Sequence, residues 1–256
     1  MNMTDTGREE PTTEATTAVE AVPRQPVGGT RARNFFVSSI VGVVGLTVVV
    51  FLTRYNMQPY PVWATTGSGL GRSWEEYLLV NVTGLLLLPM LAVLAMPAET
   101  PAAYGWSRPV AASARIAAAL YIAMLPVLYW AARLPAFQQY YPIQPQAAQS
   151  WAYLAYFELT YGMYMLTWEF FFRGFLTFGL ARGFGPWAAV ILQAVAFGIM
   201  HIGKPMPEII GSFAAGIALG ILALKGRSFL HCFVLHWACA LTFDLMIIRA
   251  VPGGLF

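Results

Sequence analysis

Trp168 to Gly174 read WEFFFRG, a glutamate and an arginine set among aromatic side chains. Glu169 and Arg173 are four residues apart, so on a helix they share a face and can form an ion pair. Ionisable groups at membrane depth are costly unless paired or turned toward a polar cavity, which makes this pair a functional candidate. Two histidines in later apolar runs extend the set: His201 ends AFGIMH, with Phe197 one turn earlier on its face, and His236 lies in LHWACA. A carboxylate and two imidazoles brought together can move protons and activate water. Each also has a bland reading, since a buried ion pair can simply brace a bundle and a lone histidine in an apolar helix is commonly a hydrogen-bonded core residue. His231 is five residues from His236, about 140° around a helix, so the two cannot both reach one centre; His231 is expected near the membrane boundary. Asp244, eight residues after His236 on the same face, and Glu208, in the first helical turn after HIGKPMP, are further candidates. Helix-dipole stabilisation alone would account for Glu208, and Lys204, between His201 and Glu208, would suit an interface.

The elements that must position these residues follow from composition. With 58% hydrophobic and only 11% charged residues among 256, the chain is far more apolar than a soluble domain. Roughly 20 apolar residues cross the hydrocarbon layer, and about seven such segments are present, predicting an all-α polytopic membrane helix bundle. They run Phe35 to Thr53, Tyr77 to Met96, Ala111 to Leu134, Trp151 to Arg182, Pro186 to Ile202, Pro207 to Leu224 and Phe229 to Ile248. Residues 1–34, rich in Thr, Glu, Pro and Ala, read as a disordered tail rather than a signal peptide. Residues 35–150 read as N-terminal transmembrane helices, and residues 151–250 as the part that carries the chemistry. Arg24, Arg31 and Arg33 before the first segment, with Arg108, Arg115, Arg182, Lys225 and Arg227 in alternate connections, favour a cytoplasmic N-terminus. Counting from the cytoplasmic ends, Glu169 falls about 20 Å deep, His201 about 22 Å, His236 about 12 Å, Asp244 about 24 Å and Glu208 about 26 Å. One slab of membrane thus holds polar groups from four helices.

Other chemistries are disfavoured. The net charge of +3 is small and the basic residues are dispersed, which argues against nucleic acid. Cys232 and Cys239 share one apolar run, roughly on one helical face, and read as packing residues. A zinc centre would want three or four converging ligands, and HExxH is absent, so neither a metal nor another cofactor is expected.

The order Glu…Arg, then Phe-x-x-x-His, then a further His in the last segment resembles the CPBP family of intramembrane proteases, which includes CAAX prenyl endopeptidases and bacterial relatives linked to bacteriocin processing and self-immunity. The family motifs are EExxxR, FxxxH and HxxxN/D. The resemblance covers Trp151 to Ile248, and YGWSRP at Tyr104 to Pro109 resembles a Gly-containing loop that precedes the domain. Glu169 matches the second motif Glu, Arg173 the Arg, Phe197 and His201 the second motif, and His236 the third-motif His. Trp168 stands where the family has its first Glu, the residue usually assigned as general base, and Ala240 where it has Asn or Asp.

The resemblance implies an intramembrane endopeptidase of glutamic type, with Glu169 and His201 activating water, Arg173 orienting Glu169 and His236 holding the oxyanion. Asp244, one turn beyond Ala240, is the candidate replacement for the missing polar group, and Glu208 for a second carboxylate. The expected partners are membrane lipid and a membrane-associated peptide or protein substrate: a prenylated C-terminus, a bacteriocin precursor or a C-terminal sorting anchor. The expected location is the bacterial plasma (inner) membrane, crossed several times. The departures at Trp168 and Ala240 leave an inactive scaffold or immunity protein as one alternative, and intramembrane acids leave a proton-coupled transporter as another.

Overall fold

The structure, a computed structural model, describes residues 30–56, 73–250 and Leu255, and every regular element among them is helical. That follows from the composition, because in hydrocarbon each backbone N–H and C=O must be satisfied within its own segment. In chain order the elements are α1 (Arg31–Asn56), α2 (Trp74–Val82), a π-helical run (Thr83–Leu87), α3 (Leu88–Ala95), α4 (Ala111–Ala131) and the short α5 (Pro135–Tyr140). There follow α6 (Trp151–Glu169), a second π-helical run (Phe170–Leu176), α7 (Thr177–Phe184), α8 (Pro186–Ile199), α9 (Met206–Gly226) and α10 (Leu230–Ala250).

Among the described residues five helices are long and apolar enough to cross a membrane: α1, the continuous Trp74–Ala95 unit, α4, α9 and α10. The expected number of about seven is not confirmed. Trp151 to Phe184 is interrupted by π-helical turns that carry Arg173. Helix α8 has 14 residues, about 21 Å of rise against roughly 30 Å of hydrocarbon. The expected tail lies outside the described residues up to position 29, and its last part is corrected as well, because helix α1 already begins at Arg31.

The α6–π–α7 unit is the axis of the bundle, packed by α1, α2, α8 and α10. Its aromatic side chains make the core: Phe157, Phe170, Phe171, Phe172 and Phe175 are fully buried, and Phe197 and Phe229 close over them from α8 and the α9–α10 turn. Leu46, Leu91, Ile122, Leu159 and Ile210 point outward, as side chains facing lipid do. At the expected cytoplasmic end, Glu99 is gripped by Arg33 at 2.9 Å and by Arg182, tying α1 and α7 to the α3–α4 connection. Ser38 of α1 donates to the Gly179 carbonyl at 2.7 Å, which fixes α1 against α7.

Candidate active site

Helix α6 is regular up to Glu169 and then unwinds into π geometry over Phe170–Leu176. Thr177 Oγ1 reaches back five residues to the Phe172 carbonyl at 2.7 Å, giving that wider turn a side-chain hydrogen bond. Gly174 explains itself by proximity: a Cβ there would stand 2.8 Å from the Tyr104 carbonyl oxygen, so the loop before α4 closes on this turn only if the side chain is absent.

Glu169 and Arg173 are both fully buried. Arg173 Nη1 donates to Glu169 Oε1 at 3.2 Å, and the same oxygen accepts from His236 Nδ1 at 2.6 Å, a short contact on a carboxylate oxygen. His201 Nδ1 donates to the Phe197 carbonyl at 2.8 Å, which leaves the Nε2 lone pair as its acceptor. The Phe197 ring is the common wall: its centroid is 4.5 Å from that of His201, 6.0 Å from that of His236 and 4.0 Å from Arg173 Cζ. Trp168 meets Phe197 and His201 edge-on at 5.6 and 5.5 Å. Glu169 Oε2 is buried and has no hydrogen-bond partner among the described residues.

Glu169, Arg173, His201 and His236 therefore share one neighbourhood, drawn from α6, its π turn, the turn after α8, and α10. His201 lies just past the end of α8 rather than on it. The other two candidates lie elsewhere. Glu208 accepts from Tyr141 Oη at 2.8 and 2.9 Å and from Lys204 Nζ at 2.7 Å. Burial favours a neutral Lys204, but Glu208 outweighs it and holds the ammonium above its ordinary pKa. Burial, then Glu208, pushes the Tyr141 phenol well above its own. Asp244 is about 12 Å beyond His236 along α10 and interacts instead with Glu158 of α6. Sequence reasoning passed over Glu158, although an acid inside YFELTYG was open to the rule that flagged Glu169.

His231, expected at the boundary, is buried, and neither ring nitrogen is hydrogen-bonded among the described residues. Ala240 supplies no polar atom and packs against the main core. Among the described residues no group of three or more His, Cys, Asp or Glu is arranged to hold a metal ion.

The described residues form an all-helical, multi-pass membrane bundle that encloses a glutamate–histidine pair. Residues 150–242, the segment that holds Glu169, Arg173, His201 and His236, match the family model described as type II CAAX prenyl endopeptidase Rce1-like. No curated protein and no solved structure matches the chain.

Proposed function

We propose that this protein is an intramembrane endopeptidase that hydrolyses a peptide bond through water activated by Glu169 and the neighbouring histidines. The observation that carries this reading is the 2.6 Å contact of His236 Nδ1 with Glu169 Oε1, made beside Arg173 and against the ring that also packs on His201. Arg173 and His236 occupy Oε1, so Oε2 is the oxygen that takes the proton from water, with His201 Nε2 as the second acceptor. His236 Nε2, once it carries a proton, donates to the oxyanion of the tetrahedral intermediate. Arg173 fixes the rotamer of Glu169 through Oε1, and its guanidinium stays protonated throughout. The later collapse needs a proton for the leaving amine, which the protonated bases return.

The family description points to a prenylated C-terminal peptide as the first substrate to try. In the test, detergent-purified protein is given a quenched fluorescent peptide ending in a farnesylated CAAX sequence, alongside its unprenylated counterpart. Cleavage by the wild-type chain and its loss in Glu169→Gln is the expected result. Equal cleavage by Glu169→Gln removes Glu169 from the chemistry.

A further inference from the structure

Helices α6 and α10 meet at two places that carry ionisable groups. One is Glu169 with His236. The other lies about 16 Å back along α6 and about 12 Å onward along α10, where Glu158 faces Asp244. Both carboxyls are buried, at 6% and 1% exposure. They interact with each other, and Glu158 also with the Trp237 indole. Yet none of the four carboxyl oxygens, nor Trp237 Nε1, has a hydrogen bond of normal geometry among the described residues. The indole lies flush against α6 at Gly162, one turn after Glu158, where a Cβ would stand 2.6 Å from Trp237 Cε2.

The charged and titratable groups facing this pair are Lys204 and Glu208, from the turn into α9 and its first turn, and Tyr161 on α6. Lys204 is already bound to Glu208 at 2.7 Å, so its charge is balanced locally. Two carboxylates that face each other inside an apolar bundle repel and have both lost their hydration. A single proton between them removes the repulsion and supplies a donor that the four oxygens otherwise lack.

We propose that Glu158 and Asp244 are positioning residues: one proton shared between their carboxyls closes α6 onto α10 and so sets His236 Nδ1 on Glu169. The catalytic part of this proposal rests on the endopeptidase reading, while the structural part does not. Loss of the proton on raising pH places two charges face to face across the seam. The folded chain then gives up a proton, and stability falls as pH rises through that step, opposite in sign to a carboxylate held by a cation.

The experiment is thermal unfolding of full-length protein in detergent across neutral and alkaline pH, for wild type, Glu158→Gln and Asp244→Asn, each also in a Glu169→Gln background. An amide opposite a carboxyl keeps a donor at every pH and never faces it with a second negative charge. Both variants should therefore unfold near the wild-type temperature at neutral pH and keep that temperature where wild type declines. In turnover assays their alkaline limb should lie higher by about one pH unit or more. Asp244→Ala should lower kcat by up to about 100-fold with KM little changed, as expected for a misplaced catalytic group, and Asp244→Asn should restore it. Identical pH dependence of unfolding in wild type and both amide variants overturns the proposal, and so does a wild-type kcat in Asp244→Ala. If Asp244→Ala fails to accumulate, the amide variants decide alone. Because unfolding is read without turnover, a chain that cleaves no tested peptide still passes or fails this test.

Discussion

Glu169 and Glu158 stand on the same helix, eleven residues apart in the sequence, both buried in an apolar bundle. Glu169 Oε1 is held by a guanidinium at 3.2 Å and by an imidazole at 2.6 Å. Glu158 faces a second acid, and no cation is bound to either carboxyl among the described residues. The first arrangement has a cation that does not respond to pH, because a guanidinium does not deprotonate in proteins. The second has a charge set by a proton. One helix–helix seam thus combines a fixed electrostatic site with an adjustable one, and removing a partner should have different consequences at each.

The largest effects are expected at the fixed site. Glu169→Gln should reduce turnover by about 10²–10⁴-fold, the usual contribution of a general base. Arg173→Met should destabilise the chain by about 3–5 kcal/mol, because it leaves a buried carboxylate without its cation. Replacing both together should be milder than Arg173→Met alone. A double variant as unstable as the sum of the singles would show that the two residues do not act as a pair, and membrane accumulation with thermal unfolding measures this.

His236→Ala comes next, with kcat lower by about 10²–10³-fold, the loss expected for one oxyanion donor. If KM rises instead while kcat stays at the wild-type value, His236 belongs to substrate binding, and the 2.6 Å contact serves only to hold Glu169.

At the adjustable site, Gly162→Ala should cost about 1–3 kcal/mol through overpacking against Trp237. Unchanged stability would mean that the indole is free to move off the seam, which would weaken the link between the two sites.

The smallest effect belongs to a third polar group, outside the comparison. Lys204 and Glu208 are partly exposed, at 19% and 22% of their side chains. Glu208→Gln should change stability by less than about 1 kcal/mol and leave turnover as it was. Glu208 holds Lys204 above its ordinary pKa of about 10.4. That small stabilisation is present below the ordinary value and is lost as pH rises through the folded one. The wild-type and Glu208→Gln unfolding curves should therefore converge in strong alkali, and curves that diverge there contradict the assignment.

Much of this was legible because residue type and spacing encode it. Glu169 and Arg173 at four residues, and Phe197 and His201 at four, report shared helical faces, and apolar length reports α1, α4, α9 and α10 with ends no more than about four residues off. Depth counting was coarser. It set Glu169 about 8 Å below His236, whereas the two side chains touch, because helices tilt and long side chains bridge several ångströms. The shortness of α8 was hidden by HIG, which continues the apolar run past Ile199 although the chain has already turned. Glu158 went unseen for a different reason: its partner is another acid 86 positions away, and a pattern built on acids meeting bases contains no such pairing. The π-helical runs leave no signature in hydrophobic periodicity, since FFFRGFL is buried on every side.

That π-helical run makes the motif a matter of counting as much as of chemistry. A π turn accommodates one residue more than an α turn. Shortening Phe170–Leu176 by a single position would let the helix close into ordinary α geometry with α7 still in register, so Arg182 would keep Glu99 and Ser38 the Gly179 carbonyl. The change would fall inside the turn, on the spacing of Arg173 from Glu169 and on the hydrogen bond from Thr177 to the Phe172 carbonyl. A library of single-codon deletions across residues 170–176, scored both for protein retained in the membrane and for turnover, should therefore contain members that keep the fold and lose the activity.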